Sequence, residues 1–155
     1  MHSLYEPPFV YLYHTLRYIS KKGEDLGVQV LATSTPFRLA MPVLNINRLS
    51  AGMISSLNFC PPISLEHISS LALTSECTYD TQTKAGMRIH MKSSPDGINY
   101  DTKDLYTFDN YFEPGKTIRK TVELSPKVMF IKVLVENLSE KQVINDVKLT
   151  ATLGH

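Results

Sequence analysis

Four oxygen-bearing side chains crowd one short stretch of the chain: Asp96, Asn99, Asp101 and Asp104, in and just after Ser94-Pro95-Asp96-Gly97-Ile98-Asn99-Tyr100-Asp101. Carboxylate and amide oxygens are hard donors, and calcium gathers about six to eight of them. Asp109 and Glu113 follow closely, so a calcium site is one reading of this loop. The spacing is not that of an EF-hand, however, and the same residues build turns for conformational reasons. Proline presets the first turn position, aspartate bonds back to the turn backbone, and glycine accepts positive φ. A structural hairpin turn is the preferred reading, with the metal set as the alternative.

Aromatic residues supply a second kind of chemistry. Tyr79, Tyr100, Tyr106, Tyr111 and Phe112 lie in or beside the central hairpins. Exposed tyrosines stack on sugar rings or anchor protein interfaces. Tyr111 and Phe112 fall between Asp109 and Pro114, in a predicted loop, and with Tyr100 they are the candidate ligand contacts. Tyr100, Tyr106 and Phe108 share a strand face, which predicts that most of them are core. The chain has no tryptophan, which weakens the case for a carbohydrate platform.

Groups for covalent or acid–base chemistry are sparse. Neither a Gly-x-Ser-x-Gly elbow nor a phosphate-cradling glycine loop is present. The predicted domain holds His67, His90 and His155, and His90 sits between Arg88 and Lys92 on a polar strand face, where solvation is expected. A triad needs a nucleophile held by a base and an orienting group, and no spacing suggests one. Cys60 and Cys77 form no Cys-x-x-Cys pair, so zinc is not indicated. They are read as buried thiols, with a single disulfide as the alternative in an exported chain. A non-catalytic protein without cofactor, calcium apart, is the expectation.

Bulk properties narrow the partners. The formal net charge is +1 over 155 residues, and within 48–155 the 12 Lys/Arg balance 12 Asp/Glu. Phosphate-backbone binding needs clustered positive charge, so nucleic acid is not an expected partner. With 43% apolar and 20% charged residues the composition is that of a folded domain. The apolar run Phe9–Ile19 is too short to span a bilayer, and Val28–Ile46 is interrupted by Pro36, Arg38 and Pro42. Met1–Pro8 lacks the early positive charge of a secretory signal, which leaves a cytoplasmic or virion-associated location as the expectation.

The elements that must position these residues are strands. Leu71, Leu73, Ser75, Cys77 and Tyr79 alternate with polar neighbours; so do Met87, Ile89 and Met91, and likewise Ile118–Leu124, Ile131–Val135 and Val147–Leu153. Period two with one apolar face marks half-buried strands. A run at Tyr100–Phe108 and another near Met53–Phe59 bring the expected count to seven or eight. Turn residues at Asp80–Gly86, Ser94–Gly97, Glu113–Gly115, Ser125-Pro126 and Asn137–Lys141 separate them. The prediction is an all-β, two-sheet antiparallel sandwich over 48–155, jelly-roll or galactose-binding-like in type. Residues 1–47 are read as an extension, either poorly ordered or an arm toward a neighbouring subunit, with a short helix possible over Pro8–Lys22.

The segment Ser94–Asp101 resembles an S-P-D-G-x-N-[WY]-D hairpin of small β-sandwich domains in phage structural proteins and in prokaryotic proteins without an assigned function. Phe130–Asn137 and Val147–Gly154 are similar to later strands of the same kind of domain, so the resemblance covers about residues 48–155. It implies the sandwich fold and a structural or assembly role, with the chain itself or other protein subunits as partners. Sandwiches of this type also host sugar-binding modules, so carbohydrate is the alternative partner. The same turn is similar to the Asp-box of sialidase-like propellers, but a single copy does not make a propeller.

Overall fold

A computed structural model describes residues 37–155 apart from Pro126. The predicted helix over Pro8–Lys22 lies outside the described residues. Eight strands are present: β1 (Arg38–Leu49), β2 (Ile63–Ser64), β3 (Ser70–Tyr79), β4 (Met87–Ser94), β5 (Tyr106–Asn110), β6 (Thr117–Leu124), β7 (Phe130–Asn137) and β8 (Ile144–Gly154). They form two four-stranded sheets, ordered β1-β8-β3-β6 and β2-β7-β4-β5. All the pairings are antiparallel.

Four of these pairings are nested. β4 pairs with β5, β3 with β6, β2 with β7 and β1 with β8, so the chain is one long hairpin rolled upon itself. Rolling sets β8 beside β3 and β7 beside β4, which closes the two sheets. That is the strand order of a jelly roll, which resolves the topology that periodicity leaves open.

The core follows from the alternation. Leu71, Leu73, Cys77 and Tyr79 of β3 face Met87, Ile89 and Met91 of β4, Ile131, Val133 and Val135 of β7, and Val147, Leu149 and Ala151 of β8. Each inward side chain is withdrawn from water on the face that the period-two pattern marks. Tyr79 adds a polar tie within this core. Its hydroxyl donates to the Asn110 carbonyl at 2.9 Å and accepts from the Met87 amide at 3.1 Å, so β3 is joined to the strands of the other sheet. Burial pushes its phenol well above the usual range.

The sheet begins earlier than the sequence pattern suggests. β1 starts at Arg38, so 38–47 belong to the sandwich rather than to the extension. A bulge between Pro42 and Leu44 flips the phase: Met41 and Val43 face inward before it, Leu44 and Ile46 after it. This shift hides the alternation. Two other expectations are also corrected. Met53–Phe59 is no strand but a β-bridge at Ile54 followed by a 3₁₀ turn at Leu57–Phe59. Tyr100, Thr102 and Asp104 precede β5, which starts only at Tyr106.

Cys60 and Cys77 are free, buried thiols. Burial pushes Cys77 up to about 11 and raises Cys60 as well, so both stay protonated at neutral pH. Native protein is therefore expected to ignore a thiol reagent, whereas unfolding in guanidinium should release both groups. Fast labelling of the native state would contradict the burial. Tyr79→Phe should cost about 1–3 kcal/mol in urea unfolding, because it strands a buried amide and a carbonyl. An unchanged midpoint would remove the tie.

Candidate functional site

The loop between β4 and β5 is built by its own side chains. Ser94 Oγ donates to Asp96 Oδ1 at 2.8 Å and accepts from the Gly97 amide at 2.9 Å. Asp96 Oδ1 also accepts from the Ile98 and Asn99 amides, each at 2.8 Å, and Oδ2 accepts from Asn99 Nδ2 at 2.9 Å. These donors, the backbone amides foremost, hold the Asp96 carboxyl far below the ordinary carboxylate range. Gly97 has φ +76°, which favours glycine, and a Cβ there would sit tightly against the Phe130 ring at 3.3 Å.

The rest of the loop lies back against the outer face of β4 and β7. Asp101 Oδ2 accepts from Ser93 Oγ at 2.8 Å, and Lys92 Nζ reaches the Thr102 carbonyl at 2.9 Å. Asp104 pairs with Lys92 at 3.0 Å and with His90 Nδ1 at 2.6 Å. The Lys132 ammonium stands 5.2 Å from the centre of the Tyr100 ring, and the Tyr100 hydroxyl is enclosed without a hydrogen-bond partner. Asp96 and Asn99 therefore bond to each other within the turn, while Asp101 and Asp104 each serve a separate contact with β4. Among the described residues no three carboxylate, histidine or cysteine groups gather as metal ligands.

His90 differs from its expected solvated state. Its side chain is only 14% exposed, and Nε2 lies 2.8 Å from Glu136 Oε1 while Nδ1 faces Asp104. Both ring nitrogens thus lie within hydrogen-bond distance of a carboxylate. Burial resists ionisation of Asp104, but hydrogen bonds and charge from His90 and Lys92 prevail and hold its carboxyl low. Spacing gave no sign of this cluster, since Asp104 arrives from a loop and Glu136 from a strand distant in sequence.

The opposite end carries the other aromatic candidates. Tyr111 is 58% exposed, and Phe112 sets its ring edge-on to Tyr79 with centroids 6.5 Å apart. Their loop is tied to the β3–β4 loop by the Gly115 amide, which donates to the Asp80 carbonyl at 3.1 Å. An open groove of about 510 Å³ runs between the β3–β4 and β7–β8 loops, lined by Gln82, Lys84, Leu138, Glu140, Lys141 and Gln142, with neither Tyr111 nor Phe112 among its lining residues. The β4–β5 loop is at the far end of β4, so Tyr100 does not share a surface with Tyr111 and Phe112. Tyr106, expected in the core, is exposed at the sheet edge, while Phe108 is partly buried.

The fold is similar to that of XepA, a PBSX exported protein, with 9% identity and a TM-score of 0.49 over 74% of this chain and 36% of that one. VP2 of infectious bursal disease virus matches at 11% identity and 0.46, over 78% and 33%. The prophage-derived protein YomS matches at 11% and 0.40, over 79% and 96%. The chain thus spans about a third of the length of XepA and VP2. Phage and viral proteins are among the structures it is similar to, and the likeness concerns architecture alone. No family model matches the chain, and a search of curated proteins gives no match. No helix among the described residues is long and apolar enough to cross a membrane.

The depressed Asp96, Asp104 and Asp109 carboxyls set a pH dependence. A folded value below the unfolded one, about 3.9, gives stability that is full above that pH and lost as pH falls through the folded value. The urea midpoint should therefore decline steadily below about pH 4. Asp96→Asn should flatten that decline, and equal slopes for the two proteins would contradict the assignment.

Proposed function

We propose that the protein is a non-catalytic structural module that associates with protein subunits, other copies of itself first. The observation that carries this reading is the distribution of exposed apolar side chains along both edges of the β2-β7-β4-β5 sheet. On the β7 side, the segment beside the strand exposes Met53, Ile54 and Phe59, the last at 59%. On the β5 side, Leu105, Tyr106 and Tyr111 are exposed. Large apolar groups gathered on an edge favour protein contacts, whereas scattered ones need no explanation.

Both strips frame an edge that resists indiscriminate pairing. The Val133 and Val135 amides of β7 are taken by Cys60 Sγ at 3.4 Å and Ser55 Oγ at 3.0 Å. Lys120, from the other sheet, donates to the Asp109 carbonyl on β5 at 2.9 Å. Side-chain contact at a defined surface is therefore favoured over strand addition. The occupied nitrogens of His90 and the buried, protonated thiols support the non-catalytic part of the reading.

Light scattering after size exclusion tests it with the full chain over a range of loading concentrations. A defined multiple of 17.5 kDa is expected, falling toward one chain in an Ile54→Ser/Phe59→Ser variant. A mass of one chain at every concentration would contradict the proposal.

A further inference from the structure

One side chain on the outer sheet face holds two carboxylates that belong to different parts of the fold. His90 stands mid-strand in β4, with Nε2 2.8 Å from Glu136 Oε1 on β7 and Nδ1 2.6 Å from Asp104 Oδ2 on the β4–β5 loop. His90 is 14% exposed and each carboxylate 26%, so water screens the three groups only in part. Glu136 is fixed, because its strand pairs with β4 from Phe130 to Asn137. Asp104 has weaker support. The Asp101 amide donates to the Ser93 carbonyl at 3.0 Å, and the Leu105 amide to the Met91 carbonyl at 2.7 Å. Between those ties residues 102–104 are held by side chains: Lys92 on the Thr102 carbonyl, and Lys92 and His90 on Asp104.

The charge of the ring decides how many of these contacts attract. An imidazolium donates from both nitrogens; a neutral imidazole donates from one and presents a lone pair at the other. The neighbours decide which contact is given up. Asp104 retains Lys92 at 3.0 Å, whereas Glu136 takes its ion pair from His90. Arg88 on the same face is engaged by Asp109 of β5 at 2.8 Å, and Lys120 of β6 donates to the Asp109 carbonyl. Lys132 of β7 lies over Tyr100, and Lys103 of the loop is exposed. The one proton of a neutral ring therefore stays toward Glu136, and the Nδ1 lone pair is left against the Asp104 carboxylate. The loop yields to that repulsion, since β7 is locked in its sheet.

We propose that His90 is a pH-dependent clasp on the β4–β5 loop, closed by the charged ring and loosened by the neutral one. The clasp is complete below the titration of the ring and is lost as pH rises through it. The loop runs directly into Leu105 and Tyr106, both exposed, which belong to the apolar strip on the β5 side. A closed clasp fixes their backbone in advance, so association through that strip strengthens on the acid side. This consequence rests on the self-association proposed above; the clasp does not.

The test follows the isotope-labelled full chain by NMR from about pH 5 to about pH 9, with light scattering at the same points. The Asp104 and Leu105 amide signals are expected to move with the midpoint of the His90 ring carbons. The concentration of half-maximal association should rise about fivefold across that midpoint. His90→Gln, neutral throughout, should hold both readouts at their alkaline values while the remaining strand signals stay unchanged. Asp104→Asn, which leaves β4 untouched, should do the same to association. The clasp is overturned if the Asp104 and Leu105 signals ignore the His90 titration, or if His90→Gln keeps the full response. A single-chain mass at every pH overturns the self-association alone, and the NMR midpoints then still decide the clasp. Association of equal strength on both sides of the midpoint overturns the link between the two.

Discussion

The nested pairing of the chain with itself is the constraint on which the rest depends. Once β4 and β5 meet through the Asp96 turn, β3 must meet β6, then β2 must meet β7 and β1 must meet β8. Each pairing brings an inward apolar row against the next, so hydrogen bonding and burial reinforce one another. The turn at the tip is correspondingly over-determined. A carboxylate accepting from its own loop amides, and a glycine at positive φ against Phe130, leave that reversal little freedom.

The same economy explains what the polar residues are doing. Carboxylates that in isolation resemble part of a calcium set are turned toward donors of their own loop, for Asp96, and of β4, for Asp101 and Asp104. His90, Asp104, Glu136 and Lys92 clasp that loop to the outer sheet face. The exposed apolar groups lie instead at the margins of the sandwich, among them Met53, Ile54 and Phe59 beside β7 and Leu105, Tyr106 and Tyr111 beside β5. Rigid sheets with recognition placed on loops and edges are a general solution, because a loop varies without disturbing the core.

Much of this was legible in the sequence, and the exceptions have physical causes. Strands β3, β4, β6 and β7 declare themselves through their alternation, and β8 does so from Val147 onward. β1 does not, since a one-residue bulge at Pro42–Leu44 reverses the phase of Met41, Val43, Leu44 and Ile46. The Met53–Phe59 stretch has strand-like residues, but it supplies β7 with side-chain acceptors from Ser55 and Cys60 rather than a ladder. Tyr111 and Phe112 were readable as loop aromatics from the neighbouring proline. The groove between the β3–β4 and β7–β8 loops was not, because its walls are separated by more than fifty residues and meet only when β7 lies against β4. The His90 cluster is hidden for the same reason: its carboxylates come from different strands and loops.

Native-state hydrogen exchange of the full chain tests the nested roll most directly, because every strand reports separately. The account predicts that the β1 amides bonded to β8 exchange as slowly as those of β3, β4 and β7, through one cooperative opening. Exchange of the β1 amides at loop-like rates while the other strands remain protected would contradict it, and would confine the cooperative fold to the strands after β1.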